Sequence, residues 1–254
     1  MRPGRDRNAM NVPPLRLATG VLVLLATLGL GACHRAEHQA QQAAAQAAMR
    51  EAAAEQSAKA FDDAVAAQSW PVAKAQGDVL SMQYPGTHAA QRVAAQMDAV
   101  RAKANAARDT ARLASLWNYT QLAVKGGAQR GAEIDSQQAV DVDGSGARRV
   151  QLIFREHPSW GRSAYLVLQS GDFNCRGGCK VKVSVDGGAA KPMAASRPNT
   201  DEAIAMFIED ERALWRMATH AKTLSVTFPV KAGGTRTAVF EVGGLDPTQM
   251  PGWS

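Results

Sequence analysis

The spacing of apolar and polar positions divides the chain into two regimes. Between Val93 and Ala114, apolar or small residues recur at Val93, Met97, Val100, Ala104, Ala107, Ala111 and Ala114, at spacings alternating between four and three. That rhythm keeps them on one stripe of an α-helix. Upstream, Phe61, Ala64 and Val65 predict one helix, and Trp70, Ala73 and Val79 predict a second. Pro71 is tolerated in a first helical turn, and Gly86-Thr87 breaks and re-caps the chain. Further back, Glu37 to Lys59 is Ala and Gln with scattered charges, favourable for helix but almost without large apolar groups. It is therefore expected to be a semi-rigid spacer rather than a core element.

After Leu116 the period falls from helical to two. Candidate strands are Trp117 to Val124, Arg130 to Val140, Arg149 to Glu156, Ser163 to Gln169, Lys180 to Val185, Ala203 to Ile208, Leu224 to Val230 and Thr237 to Val242. Turn residues separate them, Asp143-Gly144 and Asp186-Gly187 among them. Such a series predicts an antiparallel sandwich or barrel. Asp210 to Ala221 is the exception, with Leu214, Trp215 and Ala218 marking a short helix face. The expected class is α+β: an Ala-rich helical arm and helical hairpin, then an antiparallel β-sandwich-like domain with one short helix.

Composition places the boundary at the same point. Ala36 to Ser115 holds 28 alanines, three aromatics and two glycines, whereas Leu116 to Ser254 holds 11 aromatics and 16 glycines. Ala-rich, Gly-poor sequence suits helix, and aromatic, Gly-punctuated sequence suits strands and turns. Formal charge is +6, but Arg2, Arg5, Arg7 and Arg16 against Asp6 account for half of it, leaving 25 basic and 22 acidic residues in the rest. That balance is no electrostatic footprint for nucleic acid, and no nucleic-acid partner is expected.

The arginine-bearing N-terminus is followed by the apolar run Leu17 to Leu30 and then by Leu30-Gly31-Ala32-Cys33. The run is short for a spanning helix and has the layout of a secretory signal, whether translation starts at Met1 or Met10. Those four residues resemble the lipobox of bacterial lipoprotein precursors. The resemblance implies diacylglycerol on the Cys33 thiol, cleavage before it and acylation of the new amino group. Two or three acyl chains, at about 0.8 kcal/mol per buried CH₂, anchor a protein essentially permanently. Residues 1–32 would then be the signal peptide, 33–59 the lipidated cysteine and tether, 60–115 the hairpin with a long helix, and 116–254 the β-domain. In that family an Asp after the cysteine retains the protein at the inner membrane. His34 stands there, which implies the periplasmic face of the outer membrane in a two-membrane cell.

Trp70, Ala73, Val79, Tyr84 and Pro85 resemble the second helix and exit turn of a tetratricopeptide-type hairpin. The unit occurs once, so it implies helical packing rather than the concave groove of a repeat array. The stripe Val93, Met97, Val100 and Ala104 can be satisfied by packing on that hairpin, with homodimerisation as the alternative. The order of strand, Cys pair, Val-rich strand, short helix and final strand pair around "VTFPV" and "AVFEVGGL" is similar to the accessory β-domain proteins of type VI secretion.

Cys175 and Cys179 flank Arg-Gly-Gly between two predicted strands. In an oxidising compartment they are expected to form a disulfide, since the spacing is neither C-x-x-C nor that of a zinc site. Asp141-Val-Asp143-Gly-Ser145-Gly146 begins like a calcium loop, but Leu152 stands where the bidentate glutamate belongs, so a hairpin turn is expected. No P-loop, G-x-S-x-G or H-E-x-x-H pattern is present in the sequence. His157, before Pro158, is a conceivable base without a sequence-evident partner, and alternation would split Arg148, Arg149, Arg155 and Arg162 between faces. No catalytic residue, metal ligand or cofactor is therefore assigned.

The expectation is a lipid-anchored, non-enzymatic envelope protein that binds or scaffolds another envelope component, protein or cell wall. The alternatives are a periplasmic enzyme acting on cell-wall material and a small-ligand or metal-binding module. An enzyme requires His157 or a carboxylate pair in a cleft, a ligand module a deep apolar pocket, and a partner module an exposed apolar patch or open sheet edge.

Overall fold

The computed structural model describes residues 21–199 and 204–253, with side chains from His34 onward. The start of the expected leader, the side chain of Cys33 and the first residue of the strand predicted from Ala203 lie outside the described residues. The chain is α+β, with five α-helices and nine antiparallel strands among the described residues. It forms two compact units, Met1–Val100 and Arg101–Ser254.

In the first unit, α1 (Val21–Ala66) is continuous, so the expected spacer and the hairpin's first helix are one element. Residues 34–50 are exposed, as alanine without large apolar neighbours dictates. Packing begins at the next turn, earlier than the expected end of the spacer at Lys59. Arg50 Nη2 donates to the Pro85 carbonyl at 3.2 Å, and the Glu51 carboxylate accepts the amides of His88 and Ala89, both at 3.0 Å. These are orphan donors of a helix start, and the Ala89 bond foremost holds the Glu51 carboxyl below its ordinary pKa. Ala54, Ala58, Phe61 and Ala64 then form the buried face of α1. Its end is a Schellman turn: Ser69 N–H reaches the Ala64 carbonyl and Gln68 N–H that of Val65, with Gln68 at φ 54°.

Helix α2 (Trp70–Gln83) buries Ala73, Gly77 and Leu80. The aliphatic position expected at Val79 is filled by Leu80, because seven residues after Ala73 is the same helical face; Val79 is 38% exposed. Gly77 is where α2 comes closest to its neighbours: a Cβ there would lie 2.2 Å from Met97 Sδ and 3.4 Å from Phe61. Thr87 caps α3 (His88–Ala94), its hydroxyl accepting Ala90 N–H at 3.2 Å and donating to the Tyr84 carbonyl at 2.8 Å.

The single long helix expected over Val93 to Ala114 is interrupted. Helix α3 ends at Ala94, and α4 runs Met97–Ser115 after a turn in which Gln96 N–H bonds the Val93 carbonyl. The break keeps Val93, Met97 and Val100 in the core of the first unit. These three and Ala104 are at 4% exposure or less, so the stripe is packed within the chain.

The second unit is one continuous sheet, ordered β1-β2-β3-β4-β7-β6-β5-β8-β9. Its strands are β1 (Trp117–Val124), β2 (Gly127–Asp135), β3 (Gln151–His157), β4 (Gly161–Val167), β5 (Cys179–Val185), β6 (Lys191–Ser196), β7 (Ala205–Ile208), β8 (Leu224–Pro229) and β9 (Thr235–Phe240). β1 starts two residues after α4 ends, where the period changes. The sheet is not closed, yet its far parts approach: beyond β2, Gln137 N–H donates to Val239 of β9 at 2.6 Å, and Arg236 Nε to the Asp141 carbonyl at 2.6 Å. One face of all this surrounds a single core. Helix α5 (Glu211–His220), capped by Asp210 accepting Ala213 N–H at 2.9 Å, adds Leu214, Trp215 and Ala218 to it.

Strand β6 had no counterpart among the predicted strands. Pro192 argues against a sheet interior, yet β6 lies between β5 and β7. β7 pairs with it only at Ala195 and Ser196, so no ladder partner faces Pro192 on that side.

Asp186, at φ 49° after β5, accepts the amides of Thr223 at 2.7 Å and Lys222 at 2.9 Å, tying this turn to the start of β8. The Thr223 bond foremost lowers its pKa below 3.8. A carboxylate depressed by folding contributes stability above its unfolded pKa and loses it as pH falls through the folded one. Urea midpoints measured from about pH 6 to about pH 2 should therefore decline less steeply in Asp186→Asn than in the native chain at the acid end. Parallel slopes would show that this carboxylate is not linked to folding.

Candidate functional site

Two ladders build a solvent-facing stripe on the outer side of the second unit. In β3, Leu152 and Phe154 point to the core, so Ile153 and Arg155 point outward. Register places Ile153 opposite Tyr165 of β4, and Tyr165 opposite Phe207 of β7. All three are half-buried, and the Tyr165 and Phe207 rings lie 5.1 Å apart. Helix α5 packs on the opposite face, where Trp215 meets Phe154 edge-on at 5.0 Å.

The stripe ends at the β3–β4 hairpin. Gly161, at φ 71°, supplies the left-handed step of the turn, and Trp160 is 70% exposed at its tip. Trp160 stacks on the His157 ring at 3.9 Å and 15°. Arg155 bridges tip and stripe, its guanidinium carbon 5.6 Å from the Trp160 ring and 5.4 Å from that of Tyr165. Its Nε is buried without a hydrogen-bond partner. Burial foremost raises the Tyr165 pKa, so the ring carries an un-ionised phenol beside the cation. The result is an aromatic surface with an embedded positive charge, suited to stacking and to acceptor recognition.

No family model matches this chain. No curated protein matches it either. Among solved structures it overlaps the crystal structure of invasion associated protein B from Bartonella henselae at 16% identity, over 51% of this chain and 85% of that one, with a TM-score of 0.33. An overlap of that level does not define a shared fold.

His157 is buried, and its Nδ1 accepts the Ser159 amide at 3.1 Å, so hairpin closure and the Trp160 stack use the ring. Asp141 accepts Gly144 N–H at 2.7 Å, and Asp143 accepts the amide and hydroxyl of Ser145 at 3.0 and 2.6 Å. These carboxylates thus stabilise a turn closed by the Val140–Arg148 bridge. Cys175 and Cys179 are bonded, with S–S 2.05 Å and Cα atoms 5.0 Å apart.

The four arginines go to different partners. Arg149 donates to the carbonyls of Ser136 and Gln137, Arg162 to that of Gly252, and Arg148 pairs through its backbone, leaving Arg155 on the stripe. Trp160, Tyr165 and Phe207 carry no joint signal in the sequence. The alternation of Ile153, Arg155 and Tyr165 was visible, but Phe207 joins them only because β7 inserts beside β4.

Proposed function

We propose that this chain is a lipid-anchored, non-enzymatic cell-envelope protein whose C-terminal unit binds another envelope component through the Trp160–Arg155–Tyr165–Phe207 face. The observation that carries the binding reading is Trp160, 70% exposed at the head of a half-buried aromatic stripe. Monomeric proteins rarely leave an extended apolar surface without use, and exposed Trp, Tyr and Arg are the residue types that dominate binding energy. The lipobox resemblance at Leu30 to Cys33 supports the anchor, and His34 supports the periplasmic face of an outer membrane. No helix among the described residues is long and apolar enough to cross a membrane.

Two experiments separate the halves of this reading. Cys33→Ala should release the chain from the membrane fraction, whereas acylated protein still held there would refute the anchor. For the face, crosslinking in intact envelopes should capture a partner, and Trp160→Ala should reduce capture by about tenfold or more, the usual effect of truncating a central interface tryptophan. Undiminished capture by a folded Trp160→Ala protein would exclude this face as the contact.

A further inference from the structure

A second site lies after β4, where Ser170 and Asp172, with Asp143, Ile204 and Lys231, line a cleft of about 510 Å³. Asp172 is 9% exposed. Its Oδ2 accepts from Arg197 Nη1 at 2.6 Å and lies 3.8 Å from Lys231 Nζ. Its Oδ1 is buried with no hydrogen-bond partner, and so is the hydroxyl of Ser170, two residues before it. A buried carboxylate oxygen left without a donor is costly, and beside a cleft it calls for a donor from outside the chain, to which an unpartnered hydroxyl can add a second acceptor.

We propose that this cleft binds a small zwitterion of the amino-acid class, its ammonium donating to Asp172 Oδ1 and the Ser170 hydroxyl and its carboxylate pairing with Lys231. Each part of the wall selects for this chemistry. The carboxylates of Asp143 and Asp172 favour a cationic donor, and the Lys231 ammonium, on a side chain 69% exposed, favours an anion. Lys231 also lines an adjoining cleft of about 350 Å³ with Arg176 and Arg197. Ile204, 55% exposed, offers an apolar contact for a small side chain. A metal ion fits less well, because two cations flank the acceptors and no group of three His, Cys, Asp or Glu that could hold one occurs among the described residues.

This site is independent of the aromatic face, and its test leaves that face untouched. Calorimetric titration of the detergent-solubilised full chain with L-alanine should show saturable binding, with ethylamine and propionate each weaker by about tenfold or more, as expected when one charged hydrogen bond is lost. Lys231→Met should weaken L-alanine by about tenfold and bring it level with ethylamine. Ser170→Ala should weaken L-alanine and ethylamine alike. Asp172→Asn should abolish binding; because it also disturbs the Arg197 pair, its circular dichroism is compared with the native chain's, and if it is unfolded the other two variants decide. No saturable heat with L-alanine, equal binding of ethylamine by the native chain, or an unchanged affinity in Lys231→Met would each overturn the proposal.

Discussion

Replacing Phe154 with alanine is expected to destabilise the C-terminal unit by about 3–5 kcal/mol, the range for emptying a fully buried aromatic site. Phe154 is 0% exposed and stands where four elements meet. Its ring lies 6.3 Å from Trp117, 5.0 Å from Trp215 and 5.4 Å from Trp253, the last two edge-on at 82°. One side chain thus joins strands β1 and β3, helix α5 and the C-terminal 3₁₀ turn Pro251–Trp253. Collapse cannot refill the space easily, because the surrounding indoles are large, rigid and already in contact, with Trp215 and Trp253 5.0 Å apart. Urea unfolding followed by tryptophan fluorescence measures the loss, since three of the reporters line the cavity. Phe207→Ala, on the half-buried outer face, should cost far less. A loss below about 1 kcal/mol for Phe154→Ala would mean that the helix and C-terminal turn are not anchored through this ring.

The second large effect is expected at Gly244. A Cβ at this position would lie 2.2 Å from the carbonyl carbon and oxygen of Leu113 and 2.4 Å from the Ala114 nitrogen. These are backbone atoms of α4, so no rotamer change relieves the clash. The 3₁₀ turn Val242–Gly244 must move off the helix. Gly244→Ala should therefore destabilise the unit by at least about 1–3 kcal/mol, the usual cost of overpacking. It should also weaken the Arg112–Glu241 ion pair, 3.0 Å in the native chain, which spans the same junction. The neighbouring Gly243 is an internal control: its Cβ would find nothing nearer than 3.5 Å, and Gly243→Ala should be nearly neutral. Similar melting curves for the two variants would refute close backbone contact as the reason for glycine at 244.

Both effects depend on contacts distant in sequence, and that distance marks what could be read from the chain alone. The helical period from Phe61 onward, the change to period two at residue 116 and the short helix around Leu214 and Trp215 are local signals, and they recur in the structure as helices up to Ser115, every strand but β6, and α5. The Cys175–Cys179 pairing was equally local, because only four positions separate the two. The helix break at Ala95 and Gln96 left no such signal. Alanine and glutamine favour helix, and only the burial of Val93, Met97 and Val100 together accounts for the turn.

The aromatic face lay between these cases. Trp160 and Arg155 share one hairpin and could be paired from register, but Phe207 reaches Tyr165 only through an insertion of β7 that no local pattern encodes. The Asp172 cleft was invisible for the same reason. Its wall draws on residues 143, 170, 172, 204 and 231, from four separate connections. By itself, then, the sequence determined most element types, the change from helix to strand near residue 115 and the lipobox resemblance, because each rests on spacing over a few turns or strands. Only the tertiary structure decided strand order, the fate of the apolar stripe and the two candidate sites, because each depends on which non-local surfaces bury one another.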